Sequence, residues 1–213
     1  MAKISYSTEV ITGKVRLSYA HVWEPTSVND GDEKYSCVLL IPKRDKSTLN
    51  AIQAACNAAV TKGVEKFGPS FNSVNLKMPL RDGDAERPDD PAYEGCMFFS
   101  ASSDAKRPPL IIDRHVQPIL DRNEVYSGCY AYVKINFYPF NTRGNKGVAA
   151  GLNAIQKVAD GESLVSSNTT EGFGEVADED DDDDDLLDMD SGYVAPAAQQ
   201  TRPAVNPLTG RPW

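Results

Sequence analysis

Residues 127–140 alternate strictly in character. Cys129, Ala131, Val133, Ile135 and Phe137 fall on one face, and Tyr130, Tyr132, Lys134, Asn136 and Tyr138 fall on the other. A period of two marks a strand with one face in a core. Residues 11–23 read the same way, with Val15, Leu17, Tyr19, His21 and Trp23 alternating with Lys14, Arg16, Ser18, Ala20 and Val22. Pro25 and Asn29-Asp30-Gly31 break that strand. Residues 35–41 form a second, more uniformly apolar strand closed by Pro42. Strand character returns over 95–101 and 110–120, where Pro109 and Pro118 predict an irregular or edge strand. The run from Asn141 through Arg143, Gly144 and Lys146 to Gly147 predicts a hairpin tip, and 148–158 a last strand.

One stretch has another period. Leu49, Ile52, Ala55, Cys56, Ala59, Val60 and Val64 recur at helical spacing, Asp45 and Ser47 offer N-caps, and Gly68-Pro69 ends the element. Residues 69–94, with Pro69, Pro79, Gly83, Pro88 and Pro91, read as a long polar loop of the kind that is functional or disordered. About six strands and one helix predict a mainly β fold, and an OB-fold-like Greek-key barrel suits that inventory best.

Charge changes the picture at the C-terminus. The net charge is −9, but residues 1–173 carry 20 basic and 20 acidic side chains. The excess lies in the last 40 residues, where 11 acids face only Arg202 and Arg211. Asp178 to Asp185 is an unbroken acid run that cannot fold alone. The expected division is therefore a core over 1–165 and a disordered acidic tail over 166–213. Nothing approaches the roughly 20 apolar residues of a membrane span. The opening Met1-Ala2-Lys3-Ile4-Ser5 has no apolar signal region, so the cytoplasm is the expected location. Cys37, Cys56, Cys96 and Cys129 are scattered through apolar runs and read as buried reduced thiols.

Candidate chemistry concentrates on the tyrosine-bearing strand. Tyr130, Tyr132 and Tyr138 with Lys134 and Asn136 offer aromatic surfaces for stacked bases and a cation for phosphate. The alternatives for this face are packing beneath the helix or at a homodimer interface, which would make the chain a protein-interaction module. Arg143 and Lys146 at the hairpin tip, Lys106-Arg107, and Lys77 and Arg81 in the long loop are candidate phosphate contacts. Trp23 completes the candidate DNA-binding set. In the tail, Asp180, Asp181, Asp182, Asp183, Asp184 and Asp185 mimic a nucleic-acid polyanion and would compete for the groove. Leu186-Leu187-Asp188-Met189 and Trp213 resemble docking anchors for replication or recombination proteins. His21 and His115 are the only histidines, and no nucleophile or phosphate-loop motif is present, so an enzyme is not expected. Neither is a cofactor. Asp82/Asp84 and Asp89/Asp90 are the one carboxylate pairing to weigh as a metal site, and they sit in the Pro-rich loop.

The run Gly147-Val148-Ala149-Ala150-Gly151-Leu152-Asn153-Ala154-Ile155-Gln156-Lys157-Val158, followed by Asp160-Gly161-Glu162, resembles a phage family first catalogued as a domain of unknown function. So do Tyr35 through Lys43, Pro79-Leu80-Arg81-Asp82-Gly83-Asp84 and the Tyr130 to Asn136 strand. The likeness covers about residues 3–165. It implies a single-stranded-DNA-binding protein of tailed enterobacterial phages, with an OB-fold core, acting in replication or recombination in the cytoplasm of the host bacterium. The tail departs from the simplest acidic-tail pattern, because mostly neutral residues 191–212 separate the acids from Trp213.

Overall fold

The structure, a computed structural model, describes residues 7–27, 32–71, 75–142 and 145–164. Its strands are β1 (Glu9–Ile11), β2 (Val15–Thr26), β3 (Lys34–Pro42), β4 (Arg81–Asp82), β5 (Cys96–Asp104), β6 (Leu110–Ile112), β7 (Tyr130–Thr142) and β8 (Asn145–Ala159). The α-helices among the described residues are α1 (Lys46–Phe67) and the one-turn α2 (Gly83–Glu86).

Five strands close on themselves. β2 pairs β3, β3 pairs β5, β5 runs parallel to β8, β8 pairs β7, and β7 returns to β2 through Val15↔Ala131 and Arg16↔Tyr130. Numbered along the barrel alone, that order is 1-2-3-5-4-1, the five-stranded Greek key of the OB-fold. Closure leaves none of these five strands as a bare edge. β1 extends the sheet beside β7, and β6 lies parallel to β8.

The interior is filled by the inward set of each strand. Val15, Leu17, Leu39, Ile41, Phe99, Ala101, Val133, Ile135, Phe137, Ala150 and Leu152 are all buried. α1 lays Ile52, Ala55, Cys56 and Ala59 into this core and packs chiefly against β7. Its N-cap is Asp45, whose carboxylate accepts from Thr48 N at 3.1 Å. The Thr48 hydrogen bonds also hold the Asp45 carboxyl pKa below the ordinary carboxylate range.

β2 departs from the simple alternation. A bulge between Ser18 and His21 sets Tyr19 at φ 45°, a left-handed conformation costing a non-glycine residue about 1–2 kcal/mol. Past the bulge the inward residue is Val22, while Tyr19 and His21 are exposed. Tyr19 and His21 share the sequence parity of buried Val15 and Leu17 yet face outward, because one inserted residue exchanges the two sides of a strand.

The 69–94 segment, expected to be loop, is folded over much of its length. Phe71 and Tyr93 are buried, and Tyr93 meets Phe98 edge-on at 4.9 Å. Lys43 lies between Asp82 and Asp84 at 2.5 and 2.6 Å. The ammonium lowers both carboxyl pKa values, and the two carboxylates raise that of Lys43. These acids thus act as an ion-paired clasp. Among the described residues, no cluster of His, Cys, Asp or Glu is placed to hold a metal ion. Cys37, Cys56 and Cys129 are buried and Cys96 is half-buried, all four as free thiols. Burial pushes the thiol pKa of Cys37 and of Cys56 up to about 12. No described helix is long and apolar enough to cross a membrane.

Candidate nucleic-acid interface

β7 is 13 residues long, and the alternation read from its sequence holds as far as Tyr138. Cys129, Ala131, Val133, Ile135 and Phe137 are 0–1% exposed, whereas Tyr132 and Tyr138 keep 40% and 42% of their surface. Lys134 lies exposed between them and pairs with Glu9 of β1 at 3.5 Å. Tyr130 behaves differently. Its ring sits under Lys14 and Arg16, at 5.2 and 5.9 Å, so its face is already occupied by cations.

Pairing register carries the outer face beyond β7. Direct partners place His21, Ser36, Ser102, Gly151 and Asn136 in one row across β2, β3, β5, β8 and β7. Five strands at about 4.8 Å spacing make this row roughly 19 Å long. Three of its members are serine or glycine, so the row is a shallow trough. Exposed Tyr19 stands beside its β2 end and Tyr138 beside its β7 end.

At the β7 end the trough opens into a groove of ≈ 640 Å³. Ser102 and Gly151 form its floor, Asn136 and Tyr138 one wall, and Lys106 and Arg107 the other. The basic wall is a turn held by Asp104, whose side chain accepts from Lys106 N at 2.9 Å and whose carbonyl accepts from Arg107 N at 2.8 Å. Among the described residues, neither the Lys106 ammonium nor the Arg107 guanidinium has an ion-pair partner. Two cations without an ion-pair partner, beside an accessible phenol ring, have the chemistry to hold a phosphate next to a stacked planar group.

The structure thus brings together Tyr132, Lys134, Tyr138, Lys106 and Arg107, and leaves the other candidates elsewhere. Lys146 points away from the tyrosines, because in β8 it shares the parity of buried Val148, and its ammonium donates to the Ser70 carbonyl. Lys77 bridges to Gly147 through the backbone and donates to Asn145 Oδ1 at 2.8 Å. Arg81 stacks over Phe98 at 4.4 Å and pairs with Glu86, at the opposite end of β5 from the groove. Trp23 is half-buried against the core, and its indole N–H donates to the Val125 carbonyl at 3.0 Å. Arg143, Asp180 to Asp185 and Trp213 lie outside the described residues. Ser36, Ser102, Gly151 and Asn153 join this face without any signal in the sequence. Small and neutral residues give no periodic signal, and only strand register collects them.

The family model described as "Enterobacter phage Enc34, ssDNA-binding protein" matches residues 8–187. Putative protein p50 of Acyrthosiphon pisum secondary endosymbiont phage 1 is 34% identical over 157 residues, covering 70% of this chain and 83% of that protein. The single-stranded DNA-binding protein from bacteriophage Enc34, solved in complex with ssDNA, is 25% identical with a TM-score of 0.61, over 77% of this chain and 96% of that one. The gp2.5 single-stranded DNA binding protein of bacteriophage T7 is 18% identical with a TM-score of 0.53, over 79% and 99%. At that identity the likeness to gp2.5 shows the fold alone.

Proposed function

The chain belongs to the Enterobacter phage Enc34 ssDNA-binding protein family, a family of binding proteins and not of enzymes, and from that membership we propose that its barrel binds single-stranded DNA. One observation carries the reading. Tyr132, Lys134 and Tyr138 are exposed along one strand face, and Tyr138 shares its groove with two cations that have no described partner. A base stacked on each accessible ring contributes ~1–3 kcal/mol irrespective of sequence, and the cations hold the phosphates between them. Binding then depends on salt, with the logarithm of affinity falling by about 0.7 per neutralised phosphate for each unit of log salt.

The finer proposals concern the tail and the setting. The acid run competes with DNA for the groove, and the segment from Leu186 to Met189 with Trp213 docks replication or recombination proteins. The setting is phage DNA replication or recombination in the host cytoplasm. Titrating labelled oligo(dT) and a matched duplex into the full chain at two salt concentrations, read by fluorescence anisotropy, tests the core reading. Salt-sensitive binding of oligo(dT) supports it, and no binding at low salt removes it.

A second reading is an assembly face, and one observation favours it. Leu110, Ala154, Lys134 and Ile11 form a row across β6, β8, β7 and β1, and Leu110 and Ile11 are 56% and 70% exposed. A self-association surface, such as that of a homodimer, would use such apolar flanks. Sedimentation of wild-type and Tyr132→Ala protein separates the two: loss of an oligomer with DNA binding intact favours assembly.

A further inference from the structure

Beyond stacking and charge, the groove next to Tyr138 holds two carboxamides whose hydrogen-bonding capacity is unspent. β8 is bulged against β7: Lys134 faces Ala154 and Ile135 faces Leu152, which leaves Asn153 as the extra, unpaired residue. A bulge of this kind re-aims one side chain out of the ladder, and here the re-aimed residue lines the groove. Asn136 faces it from β7 and lies over Gly151. Among the described residues neither amide side chain has a hydrogen-bond partner.

Backbone cations and aromatic platforms do not need such groups, since stacking is indifferent to the base. An asparagine amide presents a donor beside an acceptor, the pattern that pairs with a base edge. The floor is shaped accordingly. Gly151 and Ser102 put no bulk beneath the amides, and a Cβ at Gly151 would intrude within 2.4 Å of Asn136 Oδ1. The volume of ≈ 640 Å³ is in the range of small-molecule sites, about 300–1,000 Å³.

We propose that this groove is a base-reading subsite: one nucleotide of the bound strand stacks on Tyr138, sets its phosphate against Lys106 and Arg107, and offers its base edge to Asn136 and Asn153. The proposal rests on the single-stranded-DNA reading and adds to it that binding is not equal for all bases. The remaining contacts, at Tyr132 and Lys134, stay indifferent to sequence, so selectivity appears as a preference imposed on general binding.

The test uses the full chain with labelled dT, dA and dC homopolymers of one length and a dT strand carrying abasic positions, at fixed salt. Wild type is expected to separate its best and worst homopolymers by at least roughly fivefold, about one well-made hydrogen-bond pair. It should also bind the abasic strand more weakly than dT. Asn136→Ala with Asn153→Ala should compress the spread to within roughly twofold while the salt dependence stays unchanged. Asn153→Asp, which keeps shape but removes the donors, should alter the order of preference and guards against a variant that misfolds. If wild type binds every homopolymer and the abasic strand alike, or the double variant keeps the full spread, base reading is wrong while DNA binding stands. If no strand binds, the underlying function fails first.

Discussion

Asn136 lies so close over Gly151 that a Cβ on the glycine would come within 2.4 Å of the amide oxygen. The two residues are direct cross-strand partners, and together they make the floor and near wall of the groove. Gly151→Ala should therefore swing Asn136 out and fill the floor without disturbing the core, because the group it meets is the end of a side chain. Stability should drop by less than about 1.5 kcal/mol, while oligo(dT) affinity falls roughly fivefold. Denaturant titration and anisotropy on the same preparation separate the two effects. Unchanged affinity would mean that DNA does not enter the groove.

Tyr138→Ala should weaken oligo(dT) binding by roughly 5- to 150-fold, the equivalent of ~1–3 kcal/mol for one stacked base. Lys106→Ala with Arg107→Ala should act differently. It should lower affinity evenly for all strands and reduce the slope of log affinity against log salt by roughly 1.4. Lys146→Ala, whose ammonium is bonded to Ser70 on the other side of the strand, should change the slope little. Equal effects from all three changes would contradict the division of roles read from the groove.

How far the sequence exposes this arrangement depends on the interaction that sets each part. β7 is legible because its periodicity and its burial obey one rule from Tyr130 to Tyr138. α1 is legible for the same reason, down to Asp45 as its cap. The exchange of sides in β2 past Ser18 is not legible, because a bulge is decided by the fit of neighbouring strands and not by local preference. The trough of Ser36, Ser102 and Gly151 belongs to three separate strands and exists only once they are in register. Lys77, Arg81 and Lys146 look alike as basic residues in sequence. Their partners Asn145, Glu86 and Ser70 are brought to them only by the fold.

Gly63 sits on the buried side of α1, where a Cβ would fall 2.2 Å from the Phe71 ring. Phe71 is itself buried and stacks on Phe67 at 5.4 Å, anchoring the chain as it leaves the helix. Glycine to alanine inside a helix ordinarily gains up to about 1 kcal/mol. Here overpacking should outweigh that gain, and Gly63→Ala is expected to destabilise the protein by ~1–3 kcal/mol net of it. A raised denaturation midpoint would show that Phe71 moves aside freely.

The Lys43 clasp gives a pH signature. Asp82 and Asp84 have native pKa values held below the ordinary one by Lys43, so each adds stability that is complete above the unfolded value of about 4. That contribution is lost as pH falls through the lower native values. Lys43→Met should therefore be less stable than wild type at pH 7, and the gap should close towards pH 3. Because the three groups are partly exposed, the gap will be modest and should shrink in high salt. A gap that persists unchanged at pH 3 would assign the loss to packing of the lysine stem.

Leu164 is the last described residue of the barrel. Leu164 packs against Leu40, Tyr93 and Phe98, and its N–H donates to the Ser127 carbonyl at 2.8 Å. A flexible chain of 40 residues has an r.m.s. reach of ~35 Å, longer than the ~19 Å trough, and tethering holds it at an effective concentration on the order of millimolar. On the proposed competition, the 11 acids of the last 40 residues are the groove's rival ligand when no DNA is bound. Deleting residues 174–213 should tighten oligo(dT) binding and should tighten weak duplex binding more, since a tethered competitor suppresses weak ligands most. Both gains should fade as salt rises, because the same screening weakens tail and DNA alike. Anisotropy titrations of the full and shortened chains at low and high salt measure all four quantities. If the shortened chain binds every nucleic acid more weakly, the tail is part of the binding surface and the competition does not exist.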